Sequence, residues 1–559
     1  MLGRLGFGKP TTLDALLDSR RVVLEDILDM EDCLDQVRMR HKKLIEYIRQ
    51  PLILSQLIRY LVLGEKYAWL VSEIMASTIP AIMDVLVYQH KELLTVYWAL
   101  LYQNYRLTQQ QVVYFVKVNQ ALLTRRPGDM IQFISCLSDL LPQWIYHMGD
   151  PQGSQLADLL VSLVQCELNA EDTGIIKWLH QHGLIQLLVE QLDASVDPMM
   201  HSIAQQILCD IVRLSQTSHQ EMATIGTNDL IADLSSKETM TRLLDIMLDT
   251  SGLNAIDSFI CGAKLLINLI RYNDERHLED TPLSDTSDIS TNSKILANIL
   301  ICCTSRLEDF LYLLENPRSK QPARLGMERL VLLELIAEWI HCANLTGVYQ
   351  EGDAFKSAYC QYDAVGRVLD LFFAFPSCNL AHSVICDMIG QTFENKCLQR
   401  ETNQQMILEV FTKAQLIHRI LDVNKQMETE NDRSKVQLGY MGHLTLMTKS
   451  IVQILHTQPD LLKILRNGED TSGCIPWDEW DTYAAMMMDQ CAELALPLGG
   501  KCLPSSSPVI PKSTFPAPPP PIHIPSSAPP SPRSTSLPSP SLSPLSSPLL
   551  PIELVVDAR

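Results

Sequence analysis

Gly3 to Lys9 reads Gly-Arg-Leu-Gly-Phe-Gly-Lys, the G-x4-G-K spacing of a loop that cradles phosphates with its backbone N–H groups. Pro10 follows where such a loop needs a Ser or Thr for Mg²⁺, and two residues are too few for the strand that would hold it. His180 and His182 are two apart, which on a helix turns the rings onto divergent faces instead of the i, i+4 spacing that chelates zinc. His201 falls at the margin of an apolar helix face and reads as a boundary histidine. Arg213, one turn beyond Cys209, could lower that thiol's pKa, although a structural cysteine fits the pattern better. Glu31 and Asp32 belong to a generally acidic run, Glu25–Asp35, that signals solvation and not acid–base work. There is no G-x-S-x-G, H-R-D or H-E-x-x-H pattern. Catalytic, cofactor and metal-ligating residues are therefore not expected.

What these residues sit on is more informative. Asp197–Ser215, DPMMHSIAQQILCDIVRLS, opens with an Asp N-cap and a first-turn Pro. Ile203, Ala204, Ile207, Leu208, Ile211, Val212 and Leu214 then fill about half the helical wheel. A surface helix shows a narrower stripe, so this one is expected to be pressed from more than one side. The same helix–turn–helix phrase recurs. Leu140–Met148 turns at Gly149–Pro151 into Leu156–Cys166, and Leu184–Leu192 turns at Asp197-Pro198 into Ile203–Ser215. Leu243–Leu248 turns at Thr250–Gly252 into Ile256–Ile270, and Val365–Phe373 turns at Pro376–Asn379 into Leu380–Ile389. The pattern predicts an all-α, armadillo- or HEAT-like right-handed solenoid over residues 12–495, behind a flexible 1–11. Thr217–Glu238, Asn273–Asn292 and Asn424–Lys435 read as polar interruptions.

Composition narrows the function. The net charge is −20, and beyond Gly500 four basic residues against two acidic ones give +2, leaving −22 to the body. An acidic body lacks the general basic face that displaces counterions from nucleic acid. Fifteen cysteines without a C-x-x-C suit a reduced intracellular protein whose thiols are small core residues. No apolar run reaches the roughly 18–20 residues of a membrane span. Seventeen of the 31 prolines lie beyond Lys501, mixed with serine, so 496–559 is expected to be disordered with polyproline II character.

Several stretches carry a resemblance. Glu31-Asp-Cys-Leu34, Lys43-Leu-Ile-Glu46, Lys66-Tyr67 and Arg125-Arg126-Pro127 come first. The helix from His201 through Cys209-Asp-Ile-Val-Arg-Leu-Ser215 and then Gly439-Tyr-Met-Gly-His-Leu-Thr445 complete the order. In this order the chain resembles the SAPS-domain family, the regulatory subunits of protein phosphatase 6. It departs from the family pattern at Ile203 and Lys449, where asparagines are expected, and at Trp69 and Ser72, where proline and cysteine are. The resemblance implies a non-catalytic subunit, with no cofactor, that binds a type-2A-like serine/threonine phosphatase catalytic chain. Ankyrin-repeat proteins are further implied partners, and the cytoplasm the expected site, with a nuclear pool as the alternative. An armadillo-type adaptor for trafficking cargo is the rival reading. The candidate contact residues are Arg125, Arg126, Gln206, Asp210, Arg213, Asp387, Tyr440 and His443. In a right-handed stack the last helix of each layer lines the inner surface, which places Gln206, Asp210, Arg213 and Asp387 there. The two glycines around Tyr440 predict a tight turn that either presents its ring or buries it between layers.

Overall fold

Polar residues that could pass for loop formers start several helices of this protein. Thr108 and Gln111 form a reciprocal capping box on the Gln109–Arg125 helix. Asn228 and Ser236 cap two successive helices, Asp229–Leu234 and Lys237–Leu248. Asp197 Oδ1 accepts from Met199 N at 2.8 Å where the Pro198–Gln216 helix begins. Pro51, Pro80 and Pro127 each occupy a first-turn position whose N–H has no helical partner. The computed structural model describes residues 12–19, 22–169, 173–216, 224–274, 286–319, 321, 323–393, 400–429, 438–467 and 475–494. Every regular element among them is helical.

Eight helices form one continuous row, each packed on the next. They are Ala68–Ala76, Gln109–Arg125, Ser154–Asn169, Pro198–Gln216, Ala255–Tyr272, Met327–Ala343, Asn379–Thr392 and Met441–Thr457. A second row runs beside its middle, through Leu184–Glu190, Lys237–Leu248, Thr286–Ser305, Tyr349–Gln361 and Glu401–Thr412. This is a helical solenoid, in which each layer buries its apolar face only against its neighbours. The half-wheel read from Asp197–Ser215 is the buried face: Ile203, Ala204, Ile207, Leu208, Ile211, Val212 and Leu214 are all sequestered. Met327–Ala343, which packs against its own row and against Thr286–Ser305 and Tyr349–Gln361 of the second, is buried on nearly every side. Aromatic rings join successive layers, with Phe259–Phe310, Phe310–Trp339 and Trp339–Phe355 centroids 6.2, 5.2 and 6.2 Å apart. None of the described helices is by itself long and apolar enough to cross a membrane.

All four helix–turn–helix copies stand where the periodicity places them. The interruptions are shorter than composition suggests. Thr217–Glu238 contains the Asp229–Leu234 helix and the start of the next, because its polar residues are caps. Helix Thr286–Ser305 occupies the end of Asn273–Asn292. Leu416–Thr429 continues through Asn424, where Lys425 Nζ meets Glu479 at 2.6 Å. The G-x4-G-K motif and the proline-rich tail lie outside the described residues.

Candidate partner-binding surface

The first residues of interest lie where the eight-helix row leaves its polar stripes unpacked. On Pro198–Gln216, Gln206 is exposed and Asp210 and Arg213 are partly so. Arg213 Nη2 reaches Asp210 Oδ1 at 3.0 Å, the local i, i+3 pair that spacing allows. Asp158, on the preceding helix of the row, belongs to the same stripe. Burial first, and the charge of Asp210 second, hold its carboxyl above the usual range. Sequence reading missed Asp158, although its one-turn offset from Ser154 and Ser162 marks a polar stripe. Further along, Arg271 Nε donates to Glu338 Oε1 at 2.7 Å, tying two adjacent row helices. Asp387 is exposed and accepts from Gln391 Nε2 at 2.6 Å. The row thus carries a mixed-charge stripe from Asp158 through Arg213 and Arg271 to Asp387, and a protein surface of opposite pattern could read it.

Arg125 and Arg126 separate in role. Arg125 is exposed at the end of its helix, with no ion pair among the described residues. Arg126 Nη2 binds Asp84 Oδ1 at 2.7 Å, and its guanidinium lies 5.2 Å from the Tyr88 ring centre. Tyr88, on the π-helical turn Val85–Gln89, donates to Asp129 Oδ2 at 2.7 Å. The Asp84 hydrogen bond raises the Arg126 pKa further, so this arginine is a fixed cation bracing three elements.

Tyr440 is not on offer to a partner. It is 5% exposed, and its ring packs against Phe372, His382 and Phe373 at 5.2, 5.4 and 5.7 Å. Gly439 explains the turn: a Cβ there would stand 2.6 Å from the Pro376 carbonyl oxygen. Tyr440 is therefore corrected from contact residue to interlayer wedge. His443 is half-buried, its Nε2 3.1 Å from Ser383 Oγ, and its carbonyl accepts from Cys386 Sγ at 3.4 Å.

The remaining chemistry-bearing residues are structural. His201 is buried outright, not at a boundary, and its Nε2 faces Asp193 O at 2.8 Å. Burial pushes the Cys209 thiol up to about 11, and Arg213, engaged with Asp210, does not offset it. His180 Nδ1 is 2.7 Å from Asp233 Oδ2, while His182 turns back to Trp178 O at 2.8 Å, so the two diverge as their spacing requires. At the positions that depart from the family pattern, Ile203 is buried, Lys449 is exposed, and Trp69 is 56% exposed. Ser72 is buried, with its hydroxyl donating to Trp69 O at 2.7 Å.

Two rows of helices stacked on a shared core, with a polar stripe along one of them, define a helical-repeat interaction protein. The chain belongs to the SIT4 phosphatase-associated protein (SAPS) family, whose model matches residues 119–494. It is 28% identical over 481 residues to "Serine/threonine-protein phosphatase 6 regulatory subunit 3" of Gallus gallus, covering 80% of this chain and 53% of that one. Against "Serine/threonine-protein phosphatase 6 regulatory subunit 1" of Homo sapiens it is 25% identical over 485 residues, covering 80% and 54%. "Extragenic suppressor of kinetochore protein 1" of Schizosaccharomyces pombe is 28% identical over 374 residues, 61% of this chain and 44% of that one. The chain thus spans about half the length of the curated relatives it matches.

Proposed function

We propose that this chain is a non-catalytic regulatory and scaffold subunit that binds the catalytic chain of a protein phosphatase 6-class enzyme and directs it to substrates. The observation that carries this reading is the family match over residues 119–494, which takes in six of the eight row helices whole and the end of a seventh. The names of the relatives supply the partner. The contact surface we assign is the mixed-charge stripe with Gln206, Asp210, Arg213 and Asp387, together with the free Arg125. Ankyrin-repeat proteins are the further partners, and the cytoplasm the place of action.

Affinity purification from the protein's own cells, read by mass spectrometry, tests this directly. A type-2A-like catalytic chain is the expected companion; varied cargo proteins without a phosphatase would establish the adaptor instead. The double reversal Asp210→Arg with Arg213→Asp keeps the local pair but inverts the stripe. It is expected to cut phosphatase recovery severalfold at an unchanged melting temperature. Full recovery with the double reversal in place removes the stripe from the interface.

A further inference from the structure

Helix Trp477–Leu494 outruns the packing that holds it. Its first half lies on Leu416–Thr429 and Met441–Thr457, with Trp480, Tyr483 and Ala484 buried. From Ala485 to Glu493 no residue is buried, yet Met486, Met487, Met488 and Cys491 make this an apolar stretch. Tyr483, Met487 and Cys491 are four apart, so one face carries an apolar residue every turn, about 6 Å along the axis. Tyr483 is covered, whereas Met487 and Cys491 are only half-buried. Beside the start of that face, between Trp477–Leu494 and Leu416–Thr429, lies an open cavity of about 390 Å³. Leu421, Tyr483 and Met486 supply its apolar surface, and Lys425, Asp478 and Glu479 its charges. That volume is at the small end of ligand sites, roughly 300–1,000 Å³, and suits one large apolar side chain.

The charge on this helix is one-sided. It carries Asp478, Glu479, Asp481, Asp489 and Glu493 and neither Lys nor Arg. Among the described residues, the cations that pair with it are spent on two of these. Lys425 Nζ meets Glu479 Oε2 at 2.6 Å, and Arg466 Nη2 meets Asp481 Oδ2 at 3.2 Å. Asp478, Asp489 and Glu493 are exposed, with no ion pair among the described residues. A second copy of this helix would bring the same carboxylates against these, which opposes self-pairing. A basic surface answers them.

We propose that the cavity and the helix face beyond it dock a basic amphipathic helix of a partner protein. Its first apolar anchor sits on Leu421, Tyr483 and Met486, and its next turns lie along Met487 and Cys491. Its Lys or Arg residues meet Asp478, Asp489 and Glu493. A helix is the matching shape because this face repeats once per turn, as do apolar residues at i, i+4 and i+7 of a partner helix. Unbranched methionines adjust to anchors of different shape, so the site takes a class of such segments and not one sequence. The inference goes beyond the phosphatase reading and does not depend on it. Trp477–Leu494 packs on Met441–Thr457, one row helix past the one that carries Asp387.

Fluorescence anisotropy on the full chain tests it, at about 150 mM salt to screen diffuse attraction to the acidic body. The probes are labelled (Leu-Lys-Lys-Leu-Leu-Lys-Lys)2, its Glu-for-Lys counterpart, and a basic peptide of the same composition whose leucines are spread around the helix. The first is expected to bind at least about tenfold more tightly than the others, which lack the charge match or the single apolar face. Met486→Lys, and separately Asp489→Lys with Glu493→Lys, should each weaken it about tenfold. Glu46→Lys with Glu65→Lys makes the same charge change at two exposed sites before the first row helix. That control should leave binding within about twofold of wild type. Melting temperature and phosphatase recovery should be unchanged throughout. Equal binding of the three peptides, undiminished binding by both groove variants, or an equal fall in the control overturns the proposal. So does loss of phosphatase recovery in the groove variants, which would assign this surface to the enzyme. Self-association of the wild-type chain that Met486→Lys abolishes also overturns it, and gives the face to a second copy.

Discussion

At the scale of single residues, Tyr440 shows how far spacing carries an argument. Gly439 and Gly442 mark a special turn, but which way its aromatic points depends on Phe372, Phe373 and His382, some sixty residues earlier. Periodicity contains no such information. With its ring sequestered, Tyr440→Ala should cost about 3–5 kcal/mol by thermal unfolding, the range for emptying an aromatic site. Tyr440→Phe should stay near wild type. Two histidines should respond to pH in opposite directions. The hydrogen bond to Asp233 raises the His180 pKa, so its contribution is full below the ordinary histidine range and fades as pH rises through the raised value. Burial lowers the His382 pKa, so its contribution is full above that range and is lost as pH falls. Urea titrations from pH 5 to 8 should show Asp233→Asn removing the first trend and His382→Gln the second.

At the scale of elements, much was legible. The Asp-Pro start and half-wheel of Pro198–Gln216 follow from local chemistry, because a helix pressed on both sides needs apolar residues all along that arc. Asp229–Leu234 was hidden because its polar flanks, Asn228 and Ser236, serve as caps and look like loop. Close approaches between helices were also invisible. A Cβ on Gly352 would stand 2.4 Å from the Ala343 carbonyl oxygen, where Tyr349–Gln361 meets the end of Met327–Ala343. Backbone cannot give way as a flexible side chain can, so Gly352→Ala should destabilise by about 1–3 kcal/mol despite its better helix propensity. Chemical denaturation of purified protein checks it. Gly390, where a Cβ meets nothing within 4 Å, is the control expected to tolerate alanine.

At the scale of the described molecule, the layers share one core but touch only their neighbours, so their stabilities are coupled pairwise. Denaturation should then be broader than all-or-none unfolding allows for a chain of this size. Hydrogen exchange should be fastest in the end layers and slowest in Met327–Ala343, buried on nearly every side. Uniform protection along the eight-helix row would contradict this. The same neighbour-only packing has a mechanical consequence. A small tilt between two layers disturbs one interface and leaves the others intact, so a slight rotation repeated along the row displaces its two ends by far more than any one core must yield. A partner gripping several layers at once would set that pitch, and its hold would be felt as stiffness in a spring.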